Sequence, residues 1–249
     1  MSKEVKTLKS ENPGCKPVEN ACKLCAPLGA CMVYKGIADC VPLIHGSQGC
    51  STYIRRYMIS HFKEPVDIAS TNFTEETAVF GGKQNFNTAV KNIKQQYNPK
   101  SIAVASTCLS ETIGDDVYSF IRESEEEMEM VYASTPSYRG THADGFEAAV
   151  KALLERYSQK GNMKAQLNIL PGFVSPADMR LTKEILEAYK VNYIMLPDYS
   201  DTLDNTNWKS YHRIAPGGTT LHDIRLAGSA EMTIGFGKIY SGGVDVMEK

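Results

Sequence analysis

Residues 22–62 read CKLCAPLGACMVYKGIADCVPLIHGSQGCSTYIRRYMISHF. Five of the chain's seven cysteines lie here, and Cys15 just upstream makes six. Cys25 stands before the glycine turn of PLGA, and Cys50 directly follows HGSQG. A third such station comes at STCLSETIGDD, where Cys108 sits just after an apolar run. Thiols presented on turns at the ends of strands or helices point to soft-metal ligands on a rigid scaffold. The competing reading is a small buried hydrophobe. It suits Cys31 and Cys40, which lie in apolar surroundings without a glycine turn.

Within the stretch, Leu28–Ile37 suits a short helix or an irregular segment, and Val41–Ile44 a short buried strand entering HGSQG. Tyr53, Ile54, Tyr57, Met58 and Phe62 then recur at helical spacing, with Arg55, Arg56 and Lys63 elsewhere on that helix. Cys50 therefore falls near a helix N-terminus, where backbone N–H groups favour a thiolate.

The alternation continues downstream. VDIAS (66–70) reads as a strand, Thr74 as a helix cap followed by Glu75 and Glu76, and Phe86, Ala89, Val90, Ile93 and Tyr97 as a helix ending before Pro99. SIAVAST (101–107) reads as a central strand with Cys108 at its carboxyl end. A helix over 115–125, the strand MVYAST (130–135), the loop TPSYRGTHADG (135–145) and a helix carrying Phe146 to Tyr157 complete a first unit. The acidic run ESEEEMEM (123–130) reads as a solvated helix end.

After a polar linker over 159–164, the strand QLNILPG opens a second unit. Ser175–Pro176 starts a helix whose buried face is expected at Leu181, Ile185, Leu186 and Tyr189. The strand VNYIMLPD, a loop over 199–216, a short helix near 220–226 and the strand EMTIGFG follow. The expected class is α/β with Rossmann-like repeated domains and mostly parallel sheets. The division is a polar lead-in at 1–21, a first domain at 22–160 and a partial second domain at 161–249, whose three strands fall short of a doubly wound sheet.

Composition narrows the function. With 249 residues, 22% charged side chains and a net charge of −2, the chain offers no basic surface for nucleic acid. Its polar start, MSKEVKTLKSENPG, has no signal-peptide core, and no window reaches a membrane span. A cytoplasmic protein is expected, in which an odd number of clustered cysteines reads as ligands or catalytic groups rather than disulfides. GGKQN and GGTT lack the phosphate-loop and dinucleotide spacings, so no nucleotide is expected on this chain.

Taken alone, the Cys22–Cys25 CxxC is a weak motif, because no second pair completes a zinc site and no preceding strand suits a thioredoxin motif. Cys25, Cys50 and Cys108 match no contiguous metal motif and are one short of the four that complete an iron–sulfur site. Spacing leaves open whether they act together. His45, His61 and His142 read as backbone-orienting groups rather than ligands.

CAPLGA, HGSQGC followed by HFKEP, TEETAVFGG, STCLSETIGDD and TPSYRGTHADGF, in this order, resemble the nitrogenase component 1 superfamily, and within it the β-type half. The likeness covers about Cys22 to Gly237. It implies Rossmann-like domains in an α/β heterotetramer of nitrogen fixation. It further implies an iron–sulfur cluster, 4Fe–4S or P-cluster type, shared with an α-type partner and reduced by an ATP-dependent iron–sulfur reductase. On this resemblance the metal ligands are Cys25, Cys50 and Cys108, with Ser137 joining when the cluster is oxidised and the partner supplying the missing ligand. Gly29, Gly46 and Gly49 would let backbone approach the cluster, and Cys22 is an accessory thiol. ACKLCAPLGA and IRRYMISHFKEPVDIAS favour the branch that scaffolds iron–molybdenum cofactor assembly. The alternatives are the electron-relaying β-subunit of an oxidoreductase and a cluster-free interaction paralogue. The family's subunits are longer, and the run YSGGVDVMEK (240–249) matches none of these motifs.

Overall fold

The computed structural model describes residues 24–64, 66–124, 128–204, 210–237 and 242–248. The expected lead-in and Cys22 lie outside them. In the first unit, β1 (Cys40–His45), β2 (Ala69–Ser70), β3 (Ser101–Ser106) and β4 (Glu129–Ala133) form a parallel sheet in the order β2-β1-β3-β4. β1 and β3 are buried at every position, as a parallel strand with helices on both faces must be.

Successive side chains of a strand point to opposite faces, so each strand feeds two cores. Ile44, Ala103 and Ala105 meet α1 (Ala26–Lys35), α2 (Gln48–His61) and α7 (His142–Tyr157) on one side. Leu43, Ile102 and Val104 meet α4 (Lys83–Tyr97), which follows the short α3 (Glu75–Phe80), and α6 (Val117–Ser124) on the other. In the second unit β5 (Lys164–Leu170), β6 (Tyr193–Met195) and β7 (Ala230–Gly235) form a parallel sheet in the order β6-β5-β7. With it come α8 (Pro176–Ala188), α9 (Leu221–Ala227) and α10 (Gly242–Met247), the last within the C-terminal run. One continuous core joins the α1–α7 layer to both sheets, through Ile169 and Ile194 as well as Ala103.

Two short-range signals extend helix into segments expected as loop. Thr107 caps α5 (Cys108–Ile113), and Thr141 with Asp144 forms a reciprocal box that starts α7 four residues before Phe146. The strand expected at VDIAS is only Ala69–Ser70. Met130 opens the expected strand MVYAST and does lie in β4, which begins one residue earlier at Glu129, expected in a helix end, while 125–127 lie outside the described residues. Lys164, expected in the linker, opens β5.

Helix α8 corrects a larger expectation. Its buried positions are Pro176 and Met179, with Leu186 half-buried, whereas Leu181, Ile185 and Tyr189 are 55%, 50% and 80% exposed. The apolar stripe is present, but none of the described residues covers it. Among the described residues no helix is long and apolar enough to cross a membrane.

Candidate functional site

β1 and β3 are neighbours at the centre of the first sheet, and the chain leaves them toward opposite edges. The crevice beyond the carboxyl ends of such a strand pair is where open α/β sheets hold ligands. The strands end in register at His45 and Ser106. Beyond them, the turn at Gly46–Ser47 starts α2 and Thr107 starts α5, which brings Cys50 and Cys108 to the same end of the sheet.

Cys25 arrives from α1, whose start is tied to α7. The His142 amide donates to the Leu24 carbonyl at 2.9 Å, and the Leu24 amide to His142 Nδ1 at 3.3 Å. Cys25, Cys50, Cys108 and Ser137 then border one cavity of about 600 Å³, walled by Leu24, Leu28, Ile54 and Tyr57. A larger open hollow of about 920 Å³ lies beyond β2, but it is lined by threonine and asparagine and carries no thiol. The three thiols border the smaller cavity.

Each of the three thiols stands at a helix start: Cys25 caps α1, Cys50 is third in α2 and Cys108 is first in α5. The first turns of α1 and α2 hold no acidic residue, and neither cap side chain bonds to its helix. The N-terminus of α2 favours negative charge by about 0.3–1 kcal/mol, whereas in α1 Pro27 has no N–H and the Ala26 and Leu28 amides already donate to Ser137 Oγ and the Cys25 carbonyl. The Ser137 amide donates to Cys108 Sγ at 3.2 Å, while Ser137 Oγ accepts from the Ala26 amide at 3.1 Å. Ser137 thus links the Cys108 station to the Cys25 station. Ser47 Oγ lies 3.7 Å from Cys50 Sγ.

Among the described residues no carboxylate lines this cavity, and its polar groups are three thiols and the hydroxyls of Ser47, Tyr53, Tyr57, Thr107 and Ser137 against apolar walls. That set suits a soft, sulfur-rich metal group. Among the described residues no three Cys, His, Asp or Glu side chains stand close enough to share one ion. The thiols border a space instead.

The other sequence candidates fall elsewhere. Cys31 and Cys40 are buried; burial pushes the Cys31 thiol far up and the Cys40 thiol up to about 11, so both stay neutral packing groups. Gly49 borders the cavity, while Gly29 and Gly46 are each crowded by protein. A Cβ on Gly29 would lie 1.8 Å from the His142 carbonyl oxygen of α7, and one on Gly46 would lie 2.2 Å from Thr107 Oγ1. His45 is fully buried among Phe73, Phe86 and Phe120, with Nε2 2.9 Å from Asp115 Oδ2, and its carbonyl accepts from Thr107 Oγ1. His61 packs its ring edge against Phe62.

Sequence reading misses Ser47, Tyr53 and Tyr57 as cavity residues. The signal was available, because positions 50, 53, 54 and 57 share one face of a helix. The helical stripe splits: Ile54 and Met58 are buried, while Tyr53 and Tyr57 are 62% and 51% exposed beside the thiols.

The profile of the family described as "Nitrogenase component 1 type Oxidoreductase" matches residues 25–249, the C-terminal run included. The chain is 42% identical over 238 residues to the nitrogenase molybdenum-iron protein beta chain of Clostridium pasteurianum, covering 92% of this chain and 52% of that one. It is 36% identical over 228 residues to the beta chain of Azotobacter vinelandii, covering 86% and 43%. The solved structure "Nitrogenase Cp1 at pH 6.5" superposes with a TM-score of 0.88 at 39% identity, over 100% of this chain and 54% of that one. The chain thus spans about half the length of the relatives it matches.

Proposed function

The chain belongs to the nitrogenase component 1 type oxidoreductase family, and from that premise we propose that it is a β-type subunit holding an iron–sulfur cluster at an interface with an α-type partner. The carrying observation is that Cys25, Cys50, Cys108 and Ser137 border one apolar cavity at the carboxyl end of a parallel sheet. When bound, such a cluster supplies one-electron transfer. The chain's own part is to present three thiolates, each at a helix start. The Ser137 amide bonds the Cys108 sulfur, and Leu28, Ile54 and Tyr57 keep the space apolar. The missing ligand would come from the partner, and electrons from an ATP-dependent reductase.

A cofactor-assembly scaffold and a catalytic relay both use this arrangement. The motifs ACKLCAPLGA and IRRYMISHFKEPVDIAS favour the scaffold, while the names of the relatives belong to the catalytic branch. The test is anaerobic co-expression with an α-type chain, followed by iron counting. Wild type should retain iron, and Cys50→Ala and Cys108→Ala should lose it. Iron that survives both substitutions would sink the ligand assignment. Acetylene reduction by the complex would select the relay, and cofactor transfer without turnover the scaffold. A complex that never binds iron would select the cluster-free interaction role.

A further inference from the structure

Glu111 lies one turn after Cys108 on α5, and a single oxygen, Oε1, accepts three hydroxyls. They are Ser106 Oγ at 2.5 Å, Tyr132 Oη at 2.7 Å and Ser134 Oγ at 2.7 Å. The donors come from the end of β3, from β4 and from the residue just beyond it. Hydrogen bonds to an ionised acceptor are roughly twice as strong as neutral ones. Burial pushes this carboxyl's pKa up, but the three hydroxyls and the Arg139 charge outweigh it and hold the group below its ordinary value.

The bonds continue from there. Ser106 Oγ accepts from the Thr135 amide at 2.9 Å, and Thr135 Oγ1 donates to the Ser106 carbonyl at 2.7 Å. Two residues on, the Ser137 amide donates to Cys108 Sγ. A closed ring results, from Cys108 along α5 to Glu111, across to Ser106 and Ser134, then through 135–137 back to the sulfur. We propose that Glu111 is a positioning residue whose carboxylate pins segment 134–137, keeping the Ser137 N–H on the Cys108 sulfur. This rests on the cluster reading only for its redox consequence. N–H bonds to ligand sulfur stabilise the more negative, reduced cluster and so raise its potential.

The test compares Glu111→Asp, which keeps the charge but shortens its reach, with Ser134→Ala, which removes one arm at an exposed site. Thr112→Ala on the same helix is the control. In the chain without metal, hydrogen exchange at the Ser137 amide should quicken at least tenfold in Glu111→Asp, measurably in Ser134→Ala and not in Thr112→Ala. In the co-expressed complex, EPR redox titration should show a lower midpoint potential for Glu111→Asp at unchanged iron content. Wild-type exchange in both Glu111→Asp and Ser134→Ala would overturn the positioning role. Faster exchange with an unmoved potential would reduce Glu111 to a structural tie. A wild-type complex without iron would instead fell the cluster reading, and the exchange result would then decide the positioning of Ser137 alone.

Discussion

Replacing Gly145 by alanine would place a Cβ 1.8 Å from the carbonyl oxygen of Ala26, across the α1–α7 crossing. Ordinary contact begins at 3.4 Å, so 3.4 − 1.8 leaves a deficit of 1.6 Å. The obstacle is backbone on another helix and cannot rotate away. Overpacking a core costs about 1–3 kcal/mol, and an immovable partner puts this site at the upper end. Alanine's helix preference over glycine returns about 1 kcal/mol. The net expectation is a loss of about 2 kcal/mol, which lowers Tm by about 4–8 °C in a chain of this size. Urea denaturation reads it directly as a shifted midpoint at constant slope. Gly29→Ala strains the same crossing from the other side, where the His142 carbonyl is 1.8 Å away. Once one methyl has pushed the helices apart, the second should cost less, so the double variant should lose less than the sum. Because Cys25 caps α1, either variant should also displace that thiol relative to Cys50 and Cys108. A Gly145→Ala protein as stable as wild type, or strictly additive losses, would refute the reasoning.

The Glu111 carboxyl is held below its ordinary value, so its stabilising contribution is complete above about pH 4.3 and is lost as pH falls through the depressed folded value. Between about pH 5 and 3 wild type should therefore lose stability faster than Glu111→Gln, and parallel denaturation profiles would contradict this. Leu181→Lys and Ile185→Lys, on the uncovered face of α8, should leave the stability of the isolated chain within about 0.5 kcal/mol. A loss of more than 2 kcal/mol by urea denaturation would show that α8 packs through that face.

Much of the first sheet was legible, because SIAVAS and VPLI are apolar runs bounded by turn residues, and both became strands buried at every position. The three thiol stations were legible one by one, from their glycine turns and strand ends. Their meeting was not, since it follows from the placement of β1 beside β3 and of α1 against α7, which no spacing encodes. Helix α8 shows the same limit: periodicity found its apolar stripe at Leu181, Ile185 and Tyr189 but could not say which side packs. The close approach of α7 to Gly29 was likewise invisible, because it depends on a helix more than a hundred residues away. The starts of α5 and α7, by contrast, rest on local capping pairs, Thr107 with Ser110 and Thr141 with Asp144, which are visible in the sequence itself.

The central claim is that metal occupies the space between the three thiols. Iron-edge anomalous diffraction from anaerobic crystals of the co-expressed complex tests it most directly. The account predicts a group of iron peaks in the cavity bordered by Cys25, Cys50, Cys108 and Ser137. Iron peaks found elsewhere, or an iron-bearing complex whose cavity shows none, would contradict it.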